Sequence, residues 1–218
     1  MRFNGATTNG QISNSGTIED TASGGRAIRI ETSVGASFTA TINNTVTGII
    51  RSADDAIQVQ AGSVTGGTIN LTNAGLISST RAGQGLDLAG ATGAAIQNVT
   101  NSGQINAAAN DAIRIGGVGT ITNTSIIEGG TNTGYQTSAD GIQFEINTSG
   151  TVNNNGIGVI VGDRHGVDGD DFSNVITNNA VGATITGRNG SGVGLDGSGT
   201  VTNYGTITGI FRTAPALT

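Results

Sequence analysis

Short runs in which apolar and polar residues alternate recur along the chain, each opened by Ala or Gly. They read Ala27-Ile28-Arg29-Ile30, Ala56-Ile57-Gln58-Val59, Gly85-Leu86-Asp87-Leu88 and Ala112-Ile113-Arg114-Ile115. The series continues as Gly141-Ile142-Gln143-Phe144, a weaker Gly166-Val167-Asp168-Gly169, and Gly192-Val193-Gly194-Leu195. Strict alternation over a few residues predicts a strand with one face in a core. The first apolar residue falls at 28, 57, 86, 113, 142, 167 and 193, so the units are 29, 29, 27, 29, 25 and 26 residues long. A period that steady in this size range predicts a solenoid.

A second anchor is interleaved with the first. Asn stands at 14, 44, 73, 101, 123, 154, 178 and 203, and five of these read Asn-x-Gly: Asn14, Asn73, Asn101, Asn154 and Asn203. An aliphatic residue commonly follows four places later, as at Ile18, Ile77, Ile105, Ile127 and Ile207. Val, Ile and Thr separated by Gly and Asn is strand-and-turn chemistry, and 38 Gly are too many for helices. Each unit holds three strand-sized pieces: the alternating run, a Thr-rich run such as Phe38–Ile42, and the run after the Asn turn. The expectation is an all-β chain, a parallel β-helix of about seven coils with three short strands per coil. It forms one domain over residues 1–210, and residues 211–218, with the single Pro, form a linker or terminal extension. Recurring Asn side chains are expected to hydrogen-bond from coil to coil as amide ladders. Connections between the anchors shorten toward the C-terminus, which predicts a narrower coil there.

Composition narrows the functional classes. Aromatics are 3% and charged residues 11% of 218, both low for a globular enzyme but suited to a thin solenoid interior. The nine basic residues are all Arg, the net charge is −6, and no basic cluster occurs, which argues against nucleic acid. No Cys is present, so disulfide scaffolds, thiol catalysis and Cys-based zinc sites are excluded. No apolar run is long enough for a transmembrane helix, and the first residues lack the apolar core of a signal peptide. No cofactor is expected.

Candidate chemistry clusters in two places. Between Asn123 and Ile142 the unit is lengthened by the insertion Glu128–Ser138, and insertions in repeat proteins commonly build a binding face. Asn132, Tyr135 and Gln136 are its candidate contact residues. One coil later come Asp163 and His165, which stacking at about 4.8 Å would bring beside the insertion. Asp168, Asp170 and Asp171 form a candidate calcium turn, although neither the EF-hand nor the Gly-rich nonapeptide spacing is present. A solvated acidic turn is the simpler reading. The residue between the two apolar anchors should point outward, giving a column Arg29, Gln58, Asp87, Arg114, Gln143, Asp168, Gly194 that is either a polar track or a device separating like charges. Repeated Thr-x-Thr pieces raise an ice-binding reading. Unequal coil lengths count against it, because a flat Thr array needs equal coils, and strand propensity explains the Thr. Acid–base or glycoside-cleaving chemistry is poorly served by one His and few aromatics, so the chain is expected not to be an enzyme.

The phrases Ile12-Ser-Asn-Ser-Gly-Thr-Ile18, Val99-Thr-Asn-Ser-Gly-Gln-Ile105 and Val201-Thr-Asn-Tyr-Gly-Thr-Ile207, with interleaved segments such as Asp111-Ala-Ile-Arg-Ile115, resemble the passenger repeats of bacterial autotransporters. The resemblance covers residues 12 to about 209. It implies a right-handed parallel β-helix, a passenger-domain fragment displayed at the cell surface of a Gram-negative bacterium or secreted. The full-length protein would be attached to an outer-membrane β-barrel, as an adhesin or virulence-type factor. The expected partner is a glycan or a host or bacterial surface receptor, with self-association as a further expectation. Two other readings are a polysaccharide-processing β-helix, such as a lyase or tailspike-like depolymerase, and an inert spacer for a domain outside this chain.

Overall fold

The computed structural model describes residues 1–3, 9–31, 38–62, 64–131 and 138–210. Among them every regular element is a strand, and all the strands pair in parallel into three eight-stranded sheets. Sheet A contains Arg2–Phe3 and seven three-residue strands from Ile28–Ile30 to Val193–Leu195. Sheet B consists of eight six-residue strands from Asn9–Asn14 to Ser198–Asn203, and sheet C of eight four-residue strands from Thr17–Asp20 to Thr206–Gly209. Successive strands of the chain go to different sheets, and each pairs with its equivalents in the coils before and after. The fold is a parallel β-solenoid of about seven turns with three strands per turn.

The alternating runs do what their pattern predicts. Ile28, Ile57, Leu86, Ile113, Ile142 and Val167 stack in register and are fully buried. Each such side chain contributes roughly 1.5–3 kcal/mol on leaving water. Inward positions of sheet B trade volume with sheet A. Phe144 lies over Gly119 and Gly150, where an added Cβ would stand 3.1 and 2.3 Å from its ring. The aromatic ring therefore fits because the opposite wall has no side chain.

One inward column of sheet B reads Ile12, Ile42, Leu71, Val99, Ile121, Val152, Thr177 and Val201. Thr177 is the only polar member, is fully buried, and its hydroxyl has no hydrogen-bond partner. Thr177→Val keeps the shape and removes an orphaned hydroxyl. We expect it to stabilise the fold by about 1 kcal/mol, seen as a higher urea midpoint at unchanged slope. A lower midpoint would mean that the hydroxyl has a partner after all.

At the end of every sheet B strand an Asn turns inward, and the expected ladder is present. Asn14, Asn44, Asn73, Asn101, Asn123 and Asn154 each donate through Nδ2 to the Oδ1 of the next, at 2.8–2.9 Å up to Asn154 and 3.0 Å beyond it. The seventh rung is Asn179, not Asn178: Asn154 donates to Asn179, which donates on to Asn203 at 2.9 Å. Asn178 faces outward and donates to Asn153 at 3.0 Å. The misassignment has a physical cause, because two arc lengths follow the ladder. Asn14, Asn73, Asn101 and Asn123 bond the carbonyl two residues on. Asn44, Asn154 and Asn179 bond the carbonyl four residues on, at Gly48, Gly158 and Ala183. Asn154-Asn155-Gly156 thus imitates the short Asn-x-Gly turn, while Gly156 (φ 61°) belongs to a longer arc. At Gly103 the short arc stacks too closely for a side chain, since a Cβ there would stand 2.2 Å from the Gly75 carbonyl oxygen.

Other length variation falls between sheets C and A and between sheets A and B. The longer connections of two early coils form an extra corner, bridged in parallel at Val64 and Ala91, both fully buried. Ile115 passes to Val118 through Gly116 and Gly117 alone, so the coil is narrower there, as expected. Sheet B, by contrast, keeps six residues and unbroken register in every coil.

Candidate functional site

The three outer faces differ sharply in chemistry. Sheet C presents a half-buried aliphatic column, including Ile49, Leu76, Ile126 and Val159, beside a few ion pairs such as Arg51–Glu19. Sheet B presents no charge. Most of the charged side chains gather on and beside sheet A.

The predicted column on sheet A is formed by register: Arg29, Gln58, Asp87, Arg114, Gln143, Asp168 and Gly194, with Arg2 as a preceding rung. Its side chains are not simply outward. From Arg29 to Gln143 the members are half-buried and Asp168 is buried, while the end rung Arg2 is exposed. A second column, missed by sequence reasoning, walls them in. It lies immediately before the Ala or Gly that opens each alternating run and reads Arg26, Asp55, Gln84, Asp111, Asp140, His165 and Ser191. Its members hold successive coils together. Asp55 Oδ1 accepts the Gln84 N–H at 2.9 Å, Asp111 Oδ1 the Asp140 N–H at 2.7 Å, and Asp140 Oδ1 the His165 N–H at 2.8 Å. The Ser191 N–H then donates to His165 Nδ1 at 2.9 Å. The repeat alignment that located the alternating runs also contains this column, since a polar residue stands before Ala or Gly in each unit.

Between the columns lies a recess of about 280 Å³, lined by Gln84, Asn110, Asp111, Arg114, Ser138, Gln143 and Arg164. Arg164 joins two coils, reaching Asp140 and Asp168 at 2.5 Å each. Arg114 bonds Glu145 and lies 3.7 Å from Asp111. The Gln84 amide, turned so that both ends are satisfied, donates to Asp55 and accepts from Asn110 and Arg114. Burial pushes the Asp111 carboxyl up to about 7, opposed by its bond from the Asp140 N–H and reinforced by the Asp140 charge. Asp168 is also pushed up to about 7, by burial and then by Asp140, with Arg164 opposing. Asp55 rises to about 6, again chiefly through burial.

The sequence-derived candidates divide. Asn132, Tyr135 and Gln136 lie outside the described residues, although Ser138, at the edge of the same insertion, is on the lip of the recess. His165 belongs to the coil-to-coil column. Its Nδ1 is an acceptor, so the neutral ring carries its proton on Nε2, as assigned from hydrogen-bond geometry. Asp163 is fully buried, its Cβ placed against Gly130 of the preceding coil, which removes it from any surface contact. The calcium candidates do not converge. Asp168 is turned to Arg164, Asp170 accepts from Gln143 at 3.3 Å, and among the described residues no three His, Asp or Glu side chains form a metal-holding group. The contact with the half-buried Arg164 guanidinium is the competing interaction that claimed Asp168.

The fold defines a class, the parallel β-solenoids. Beyond that class, no protein-family model matches the chain, and neither a curated protein nor a solved structure matches it.

Proposed function

We propose that this chain is a rigid display stalk of the autotransporter-passenger type, held outside a Gram-negative cell, whose sheet A recess binds a glycan at another surface. The observation that carries this reading is the recess itself. Its walls offer guanidinium and amide donors beside carboxylate and amide acceptors, within one concavity of sugar size. Such a lining matches the dense, alternating donors and acceptors of a polyol better than it matches an apolar ligand. The ion pairs of Arg114 and Arg164 hold these groups in place before any ligand arrives, which lowers the ordering cost of binding.

Rigidity has a visible source. Backbone bonds between coils run through three sheets without interruption, and the Asn ladder adds a fourth continuous line of bonding. Coils that interact only with their neighbours also suit one-by-one folding after export.

The test is a glycan array read with the wild-type chain, Ser138→Tyr and Gln143→Ala. Ser138 is exposed at the lip, so Tyr narrows the mouth without touching the core. Wild-type binding that falls roughly tenfold or more in both variants, a loss of about 1.4 kcal/mol, supports the recess as the site. Binding unaffected by either variant, or no glycan bound at all, overturns this reading.

A further inference from the structure

We propose that sheet B is an ice-binding face, a second site independent of the recess on sheet A. Eight strands each present three outward side chains, giving 24 positions in register. Ten are Thr, seven Asn, three Ser and one Gln; the other three are Ile96, Val118 and Ile176, and none is charged. Arg and Asp crowd the adjoining sheet A, so the neutrality belongs to this face and does not simply reflect the composition.

Its geometry is that of a lattice. Strands about 4.8 Å apart and side chains repeating every two residues, about 6.6 Å, set two fixed spacings at right angles. Eight strands extend the array over about 34 Å, and six residues make it about 20 Å wide. Unequal coil length is the objection to such an array, and the structure removes it. The variation falls in the arcs after the Asn ladder and in the connections between sheets A and B and between sheets C and A, the insertion before Ile142 among them. The six-residue strands of sheet B are untouched. Side-chain pairs lock part of the array, with Asn98 donating to Asn70 at 2.9 Å and Asn178 to Asn153 at 3.0 Å.

The chemistry selects the partner. A face without charge offers nothing to nucleic acid or an anionic membrane. A face with neither an aromatic ring nor a concavity like that on sheet A can neither stack a sugar ring nor enclose one. Apart from Ser198 at one corner, none of its outward residues lines any of the recesses that open between the other described residues, so its middle does not enclose a small molecule. What remains is a ligand that is itself flat, uncharged, hydrogen-bonding and periodic in two directions, which is the surface of ice. Thr supplies both parts of the match, a hydroxyl to join the water lattice and a methyl to hold water in ordered positions over the face.

The experiment measures thermal hysteresis and inhibition of ice recrystallisation with the whole chain. Thr100→Lys combined with Thr120→Lys places charge in the middle of the face. Thr120→Tyr, a neutral strand former, raises a bump instead. Gln104→Lys puts one such charge on sheet C of the Thr100 coil, and circular dichroism confirms the fold of each variant. We expect the wild type and Gln104→Lys to be active, and both sheet B variants to need roughly tenfold more protein, because a charge or a bump breaks the lattice match. A wild type without activity overturns the proposal, even if it binds insoluble polysaccharide. Activity that persists in the sheet B variants overturns it equally. Loss of glycan binding through Ser138→Tyr leaves it untouched, so the two sites fail separately.

Discussion

Replacing Asn101 by Leu should lower the unfolding free energy by about 3 kcal/mol, the sum of several buried hydrogen bonds at about 1 kcal/mol each. Asn101 is fully buried and central in its ladder. Its Nδ2 contacts Gly103 O at 3.1 Å, Asn123 Oδ1 at 2.8 Å and Ile126 O at 3.0 Å, while its Oδ1 accepts from Asn73 at 2.8 Å. Leu has the same branched heavy-atom skeleton but satisfies none of these groups, and it leaves polar atoms on both neighbouring rungs with fewer partners in a place water cannot enter. Asn203, at the exposed end of the ladder, accepts from Asn179 and from the Gly205 N–H, so Asn203→Leu should cost only about 1 kcal/mol. Urea unfolding of the two variants side by side checks the claim. Equal costs at the two positions would show that the ladder is decoration and that stability lies in the sheets alone.

The second large effect is on pH. Asp111 and Asp168 titrate near 7 in the folded chain, and Asp55 near 6, against about 3.9 for an aspartate in the unfolded chain. Between those values the folded state holds protons that the unfolded state has released. Stability from these groups is therefore fully present below about pH 4 and is lost as pH rises through 6 to 7. The usual direction for carboxylates in ion pairs is the reverse. Here burial outweighs the Arg partners: Arg114 and Arg164 lower the Asp111 value, but less than desolvation raises it. The melting temperature should fall by at least about 5 °C from pH 5 to pH 8.5, which a chain this size reaches with a loss of one to two kcal/mol. Asp111→Asn keeps the oxygen that accepts the Asp140 N–H and deletes the charge, so it should flatten the profile and raise stability at pH 8.5. A wild-type profile that instead rises with pH would place the ion pairs above burial in the balance.

These effects sit on parts of the molecule that were unequally legible. The period, the strand alternation and the Asn turns follow from residue types within a few positions of one another, and they define the solenoid without tertiary information. The Asn178–Asn179 pair shows where that stops. Both residues suit a ladder locally, and the register that sets Asn179 over Asn154, with the Ala183 carbonyl four residues on, decides between them. The column Arg29 to Asp168 was legible as a column, but its half-buried state was not, because the wall beside it comes from the corner residues Asp55, Asp111 and Asp140.

By itself the sequence determined that this chain is a stack of short parallel strands, because periods of two within periods of 25 to 29 residues admit no other way to bury the same faces repeatedly. Tertiary structure alone decided the chemistry of the faces. Which Asp lies buried beside which Arg depends on residues 24 to 31 positions apart meeting at one strand spacing, as Arg164 meets Asp140 and Arg114 meets Glu145. Whether unequal coils spoil a flat surface depends on where the extra residues fall. They fall in the corners, because every strand added to a sheet must match the strand below it, and an arc has no such constraint.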